Sequence, residues 1–223
     1  MKNLLIVANW KANKTEDEAI KWLEGFYTGE ERLGNLEGKK IIVCPPFTLL
    51  LQIRKYIDAN GMSLVLGSQD LSGFEAGAYT GEIPAEIIGS IVKYSIIGHS
   101  ERRRNLNETD ELLKNKVNRA MQNNIIPIYC IQNENTLIPE GVEVVAYEPI
   151  EAIGTGNPDT PENADSVASE VKLKNKSIKQ VLYGGSVKGD NVKGFTSMGS
   201  IDGVLVGGAS LDPENFLEII KQC

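Results

Sequence analysis

Residues 144–156 read VVAYEPIEAIGTG, and the organisation of the chain follows from how this stretch is read. Val144, Val145, Ala146 and Tyr147 make an apolar run of the length of a strand buried on both faces. The run ends in a carboxylate, Glu148, followed by Pro149, and then by Gly154 and Gly156 on either side of Thr155. This is the pattern of a strand that carries an acid to its C-terminal tip, where a loop begins. Proline fixes one torsion at the loop entrance and the glycines free the exit. A carboxylate that such a loop can cover is a candidate general base, since excluding water strengthens a base of this kind. Taken alone, the stretch also fits an ordinary surface glutamate before a glycine-rich turn.

Working outward, short apolar runs alternate with longer amphipathic ones. Strands are expected at residues 4–9, 41–44, 64–67, 94–98, 125–131, 144–147, 181–183 and 203–206. Between them the spacing predicts helices: from an N-cap at Thr15 through Trp22 and Leu23, stopping near Gly25, and from Thr48 to about Asn60. Further helices are expected at 84–91, 109–123, 161–171, 188–195 and 213–220, the second with Leu112, Leu113, Val117 and Met121 on one face. A long glycine-containing loop, 69–81, follows the third strand. Only about a dozen residues, with Pro139 and Gly141 among them, separate the fifth strand from the sixth, too few for a crossover helix. Eight strands in alternation with helices predict an α/β fold, a (β/α)8 barrel forming a single domain over residues 1–223, with the helix between strands 5 and 6 missing or much shortened. A doubly wound open sheet is the structural rival.

Composition narrows the functions. With 223 residues there is one sizeable core, and a net charge of −7 argues against nucleic acid or an anionic membrane as partner. An anionic small substrate remains possible if positive potential is gathered in one pocket. Cys44, Cys130 and Cys223 form no ligand spacing and read as reduced thiols, the first two as small core residues. His99 is the only histidine and there is no Cys-x-x-Cys pair, so no metal site is expected; with no cofactor motif in the sequence, no cofactor is expected either. The start, MKNLLIVANWK, resembles a secretory leader only superficially, because its apolar run covers residues 4–8 and no small-residue cleavage site follows. No run is long enough to span a bilayer. A cytoplasmic location is expected.

In a (β/α)8 barrel the working residues stand where the strands finish, on one face. Those positions hold Asn9, Trp10 and Lys11 after strand 1, and His99, Ser100 and Glu101 after strand 4. They hold Glu148 after strand 6, Gly184, Gly185 and Ser186 after strand 7, and Gly207 and Gly208 after strand 8. Each has a plainer reading: a lone histidine is commonly structural, a strand-end lysine solvated, and a glycine pair a turn. Gly154-x-Gly156 lacks the third glycine of a dinucleotide fingerprint. The glycine pairs after strands 7 and 8 together are stronger, because in barrel enzymes those loops hold a phosphate on bare backbone N–H groups. A carboxylate base, an imidazole, a fixed cation and a phosphate cradle suit proton transfer beside a carbonyl, through an enediolate stabilised by Lys11, His99 and Asn9.

Six motifs in order, NWK at 9–11, AYTGE at 78–82, IIGHSERR at 96–103, YEPIEAIGTG at 147–156, YGGSV at 183–187 and VGGASL at 206–211, resemble the triosephosphate isomerase family over nearly the whole chain. The resemblance implies the TIM barrel and interconversion of dihydroxyacetone phosphate and D-glyceraldehyde 3-phosphate. It implies that Glu148 moves the proton, His99 polarises the carbonyl in its neutral form, Lys11 stabilises negative charge and Asn9 hydrogen-bonds the substrate. Ser100 would hold Glu148 in the open form, and Glu101 would support Lys11. Residues 149–156 would form a lid latched by Tyr183 and Ser186, with Ile153 and Leu205 pressing on Glu148. Backbone N–H groups of Gly154, Ser186, Gly207 and Gly208 would carry the phosphate. The loop around Thr80 would reach the Asn9–Lys11 region of a neighbouring subunit, implying a homodimer or homotetramer.

The chain departs from the family pattern in three places. Glu151 stands where many members carry tryptophan, and Asn133 where they carry its glutamate partner, so a Glu151–Asn133 hydrogen bond is expected at the lid hinge. The lost helix between strands 5 and 6 resembles the compact, archaeal-type branch, whose members are often tetramers. A ribulose-phosphate epimerase or phosphoribosyl isomerase would share the glycine pairs without the Asn, Lys, His and Glu set. A non-catalytic phosphate-binding barrel would keep the glycines and lose the acid–base residues.

Overall fold

Eight strands form where the apolar, β-branched runs fall: β1 (Leu4–Asn9), β2 (Lys39–Cys44), β3 (Leu64–Ser68), β4 (Tyr94–Ile97), β5 (Ile126–Ile131), β6 (Val144–Tyr147), β7 (Gln180–Tyr183) and β8 (Gly203–Val206). All neighbouring pairs are parallel, and β8 returns to β1, giving a closed barrel in sequence order. The open-sheet rival is thereby excluded, since Leu5, Ile6, Val7 and Ala8 pair with Gly203, Val204, Leu205 and Val206 at the seam. This computed structural model describes residues 2–34, 36–149 and 158–223. The seam depends on a glycine. At Gly203 φ is +151°, and a Cβ there would lie 1.9 Å from the Leu5 carbonyl oxygen.

The helices are α1 (Glu16–Glu30), α2 (Leu50–Asn60), α3 (Ala85–Ile88), α4 (Ser100–Leu106), α5 (Asp110–Gln122), α6 (Pro161–Lys174), α7 (Val192–Thr196) and α8 (Pro213–Gln222). Residues 132–143 between β5 and β6 contain turns and no helix, as their number required. Strand periodicity of two divides the core. One set of side chains, including Leu5, Val7, Ile42, Ile96, Ile128, Ala146, Leu182 and Leu205, fills the barrel interior. The alternate set packs under the helices. There Trp10, Trp22, Phe26 and Phe216 stack together and fasten α1 and α8 to β1. Each such aromatic buries on the order of 150–250 Å², worth roughly 4–6 kcal/mol before conformational entropy is charged against it.

Three helical expectations are corrected. First, Gly25 does not stop α1, which runs on to Glu30. A Cβ at Gly25 would meet Pro213 Cγ at 2.9 Å, so the glycine admits α8 at close range. Second, α4 (SERRRNL) was missed; it buries none of its residues and so carries no apolar period to read. Third, the buried face of α5 is Leu113, Lys116, Val117 and Ala120, while Met121 is exposed. Lys116 goes inward because its ammonium meets both Asp70 oxygens, at 2.6 and 2.7 Å, and Glu108 at 2.6 Å. Arg102 completes the cluster, 2.8 Å from Asp70 and 2.7 Å from Glu108. These four charges tie the 69–82 loop to α4 and α5. Among the described residues no helix is long and apolar enough to cross a membrane.

Candidate active site

The same two-residue period that fills the barrel brings its polar residues to the C-terminal mouth. On β1, Leu5 and Val7 point inward, so Asn9 does too. On β6, Val144 and Ala146 point inward, and Glu148 continues the register one residue beyond the strand, its N–H donating to the Ile131 carbonyl at 2.8 Å. The mouth encloses a cavity of about 210 Å³ lined by Asn9, Lys11, His99, Glu148, Ser186, Leu205 and the glycines 184, 185, 207 and 208. Residues distant in sequence thus share one small space.

Glu148 is 1% exposed, and a carboxylate so deep needs donors. It has them. His99 Nε2 lies 3.1 Å from Oε1, and the Ser100 N–H donates to Oε2 at 2.9 Å. The expected Ser100 contact is therefore made by the backbone amide at the start of α4, a position that favours negative charge, and not by the hydroxyl, whose Oγ is buried without a partner. His99 itself caps α4, its Nδ1 accepting the Glu101 N–H at 3.2 Å. A ring nitrogen that accepts carries no proton, so this pattern leaves Nε2 as the donor, facing Glu148 Oε1.

Lys11 sits in the left-handed region, φ +53°, a conformation costing about 1–2 kcal/mol for a residue with a side chain. Two polar neighbours hold it there. The Lys11 N–H donates to Asn9 Oδ1 at 3.0 Å, and Gln69 Nε2 donates to the Lys11 carbonyl at 2.7 Å and the Cys44 carbonyl at 2.9 Å. The Lys11 ammonium then reaches Glu101 at 2.5 Å. Burial pushes the Glu101 carboxyl up, but the Lys11 hydrogen bond and charge chiefly outweigh it and leave it below the usual range.

On the opposite wall the Gly184 N–H donates to the Tyr147 carbonyl at 2.8 Å. The Ser186 carbonyl accepts from Asn191 Nδ2 at 3.0 Å. Gly208 begins a 3-10 turn reaching Leu211, and the Trp22 indole N–H anchors that turn on the Ser210 carbonyl at 3.0 Å. Tyr183 is fully buried, stacked on Phe195 at 3.9 Å, and its hydroxyl accepts the Asp159 N–H at 2.8 Å. Burial first, with the neighbouring Asp159 charge, pushes the Tyr183 phenol up to about 12, against the Asp159 N–H bond that lowers it. Leu205 lines the cavity from β8.

Ile153, Gly154, Glu151 and most of the expected lid, 149–156, lie outside the described residues. Asn133 uses its carboxamide oxygen locally, accepting the Asn135 N–H at 2.9 Å. Thr80 is exposed on the 69–82 loop, beside a stacked Phe74–Tyr79 pair with 4.3 Å between ring centroids.

Two site residues escaped the sequence reading. Cys130 fills the barrel interior, as expected of a small core residue, and it also stands beside Glu148: burial first, then that carboxylate's charge, pushes its thiol well above the usual thiol range. The signal was available: Ile128 and Cys130 share the inward register of β5, whose neighbour is β6. Gln69 opens the loop after β3, and only the fold brings its amide beneath Lys11. Among the described residues no three His, Cys, Asp or Glu side chains gather as a metal site.

Residues 4–223 match the sequence profile described as triosephosphate isomerase. Three relatives bearing that name come from Dehalococcoides mccartyi (strain ATCC BAA-2266 / KCTC 15142 / 195), Endomicrobium trichonymphae and Aquifex aeolicus (strain VF5), each 37% identical to this chain. The matches cover 100%, 99% and 97% of this chain and 98%, 99% and 98% of the relatives in turn. A closed eight-stranded barrel whose mouth gathers a carboxylate, an imidazole, an ammonium and two glycine-rich turns agrees with those matches along the full sequence, and the chain belongs to the triosephosphate isomerase family.

Proposed function

We propose that this chain interconverts dihydroxyacetone phosphate and D-glyceraldehyde 3-phosphate, with Glu148 as the group that moves the carbon-bound proton. The observation that carries the reading is the cavity at the barrel mouth, where Glu148, His99, Lys11 and Asn9 face the glycine-rich turns after β7 and β8. Glu148 takes a proton from C1 of the ketone, the C–H pair becomes the C1–C2 double bond, and the carbonyl pair moves onto O2. His99 Nε2–H and the Lys11 ammonium meet that developing charge, and Asn9 orients the substrate. The O1 proton then passes to O2 by way of His99, and Glu148 returns its proton to C2 to give the aldehyde. Backbone N–H groups of Ser186, Gly207, Gly208 and Gly154 hold the phosphate, while Leu205 and Ile153 exclude water from the carboxylate. Residues 149–156 close over the site as a lid, latched by Tyr183 and Ser186. Glu101 keeps Lys11 in place.

The chain works as a homodimer or homotetramer in the cytoplasm. The exposed Phe74–Tyr79 stack around Thr80 supports a subunit contact at the 69–82 loop, and three free thiols suit a reducing compartment. The test is a coupled assay of the purified protein with each triose phosphate. Saturable turnover in both directions is expected, and its absence overturns the reading. Light scattering on the same sample should give at least twice the chain mass.

A further inference from the structure

The opposite end of the barrel carries a second polar cavity. It measures about 600 Å³, against about 210 Å³ at the catalytic mouth, and its lining includes Asn3, Lys39, Lys40, Lys179, Gln180 and Asp202. Strand parity explains why it is polar. Asn3, Lys40 and Gln180 are the inward positions that precede Leu5, Ile42 and Leu182 on β1, β2 and β7, so the barrel floor is finished by two carboxamides and an ammonium instead of apolar side chains.

The charge there is unbalanced for a chain of net −7. The one carboxylate in the lining, Asp202, is already committed: it accepts the Val181 N–H at 2.8 Å and pairs with Lys172 at 2.6 Å. Lys179 pairs with Glu143. Lys2, Lys39 and Lys40 have no carboxylate within 4.0 Å among the described residues. Their ammonium groups rest on the Met198 carbonyl, on the Ile220 carbonyl and, at 3.4 Å, on the Tyr94 hydroxyl. Lys2 lies at the edge of the cavity, held below the usual lysine range by partial burial first and by the Lys172 charge, against the pull of Asp202 and Asp165. Lys39, Lys40 and Lys179 in the lining, with Lys2 at its edge, outnumber the carboxylates near them, Asp202, Glu143 and Asp165, and an excess of positive charge on one concave surface favours an anion. The cavity, about 600 Å³, is far larger than a single phosphate and has the size range of small-molecule sites.

We propose that the floor of the barrel, at Lys39, Lys40 and Lys179 with Lys2 at its edge, binds the oligophosphate group of a small molecule. Inorganic tripolyphosphate and a nucleoside triphosphate offer the same recognition chemistry. The site is separate from the mouth and independent of the isomerase reading.

Calorimetric titration of the purified protein with tripolyphosphate and, separately, with ATP, both without divalent metal, tests the inference. Because the mouth can also admit phosphate, the comparison is with Lys40→Met and with Lys179→Ala, the latter at an exposed position. Lys40→Met should weaken one equivalent of bound oligophosphate roughly 10- to 100-fold, the loss expected on removing one charge-assisted contact. Both variants should leave isomerase turnover and thermal midpoint near wild type. Binding of both probes assigns the site to the phosphate chain, binding of tripolyphosphate alone to an inorganic ligand, and binding of ATP alone to a nucleotide; all three support the inference. Equal stoichiometry and affinity in wild type and both variants, or no saturable binding beyond the mouth, overturns it.

Discussion

Replacing Gly184 with alanine would place a methyl group against the proposed catalytic carboxylate without removing any polar atom. The added Cβ would lie 3.0 Å from Glu148 Cγ and 3.2 Å from the Tyr147 carbonyl oxygen, where ordinary contact begins at 3.4 Å. The carbonyl has little room to retreat, since it accepts the Gly184 N–H at 2.8 Å. Most of the strain therefore falls on Glu148, which must move about 0.4 Å and stretch its bonds to His99 and the Ser100 N–H. Crowding of this kind costs about 1–3 kcal/mol in stability. Misplacing a catalytic group by ~1 Å costs about 100-fold in rate, so a shift of this size should lower kcat roughly tenfold while KM changes little. Steady-state isomerase kinetics and urea unfolding read the two effects separately. Gly199→Ala is the control, because nothing lies within 4 Å of its Cβ, and it should alter neither. A Gly184→Ala enzyme with wild-type kcat would refute the claim that Glu148 is held to a narrow position.

Further expectations concern the fold. Gly203→Ala must accommodate both a Cβ 1.9 Å from the Leu5 carbonyl and an unfavourable φ; the two add to roughly 2–6 kcal/mol of destabilisation, and an unfolding free energy from urea titration within about 0.5 kcal/mol of wild type, the size of an ordinary surface effect, would refute the seam argument. In the buried charge cluster, burial pushes the Asp70 carboxyl up to about 6 against the pull of Lys116 and Arg102. A raised folded-state value means that the folded chain holds the proton more tightly than the unfolded chain, so this group's stabilisation is complete below pH ~4 and is lost as pH rises through ~6, a change of at most about 3 kcal/mol. Asp70→Asn should flatten the stability profile between those limits, and a variant with the wild-type slope in urea titrations would contradict the assignment.

How far the sequence could be read depended on whether a residue's role is local. β1, β6 and β8 were placed to the residue because their apolar runs are bounded by a polar tip or a glycine. Strand ends then yielded Asn9, Lys11, His99, Glu148 and the glycine pairs, because in a barrel the end of a strand is also a place in space. Helix α4 was illegible for a physical reason: a short polar helix over the barrel rim buries nothing, so it leaves no period. Lys116 did not figure in the expected face of α5 because an apolar count treats charge as solvent-facing, whereas Glu108 and the more distant Asp70 make its burial possible. Gly25 reads as a stop only until Pro213 is known to pack against it. Cys130 and Gln69 act through neighbours on adjacent strands and loops, a relation that register reveals and composition does not.

The central claim is that Glu148 carries the substrate proton, and the measurement that tests it most directly is the rate of triose phosphate interconversion by Glu148→Gln. The amide keeps the shape and can still occupy the site beside His99, but it cannot accept a proton from carbon. Turnover should fall by roughly 100- to 10,000-fold, with the thermal midpoint and the affinity for a phosphorylated inhibitor close to wild type. A variant that folds, binds the inhibitor and turns over within tenfold of wild type, where a general base is worth at least about 100-fold, would contradict the account.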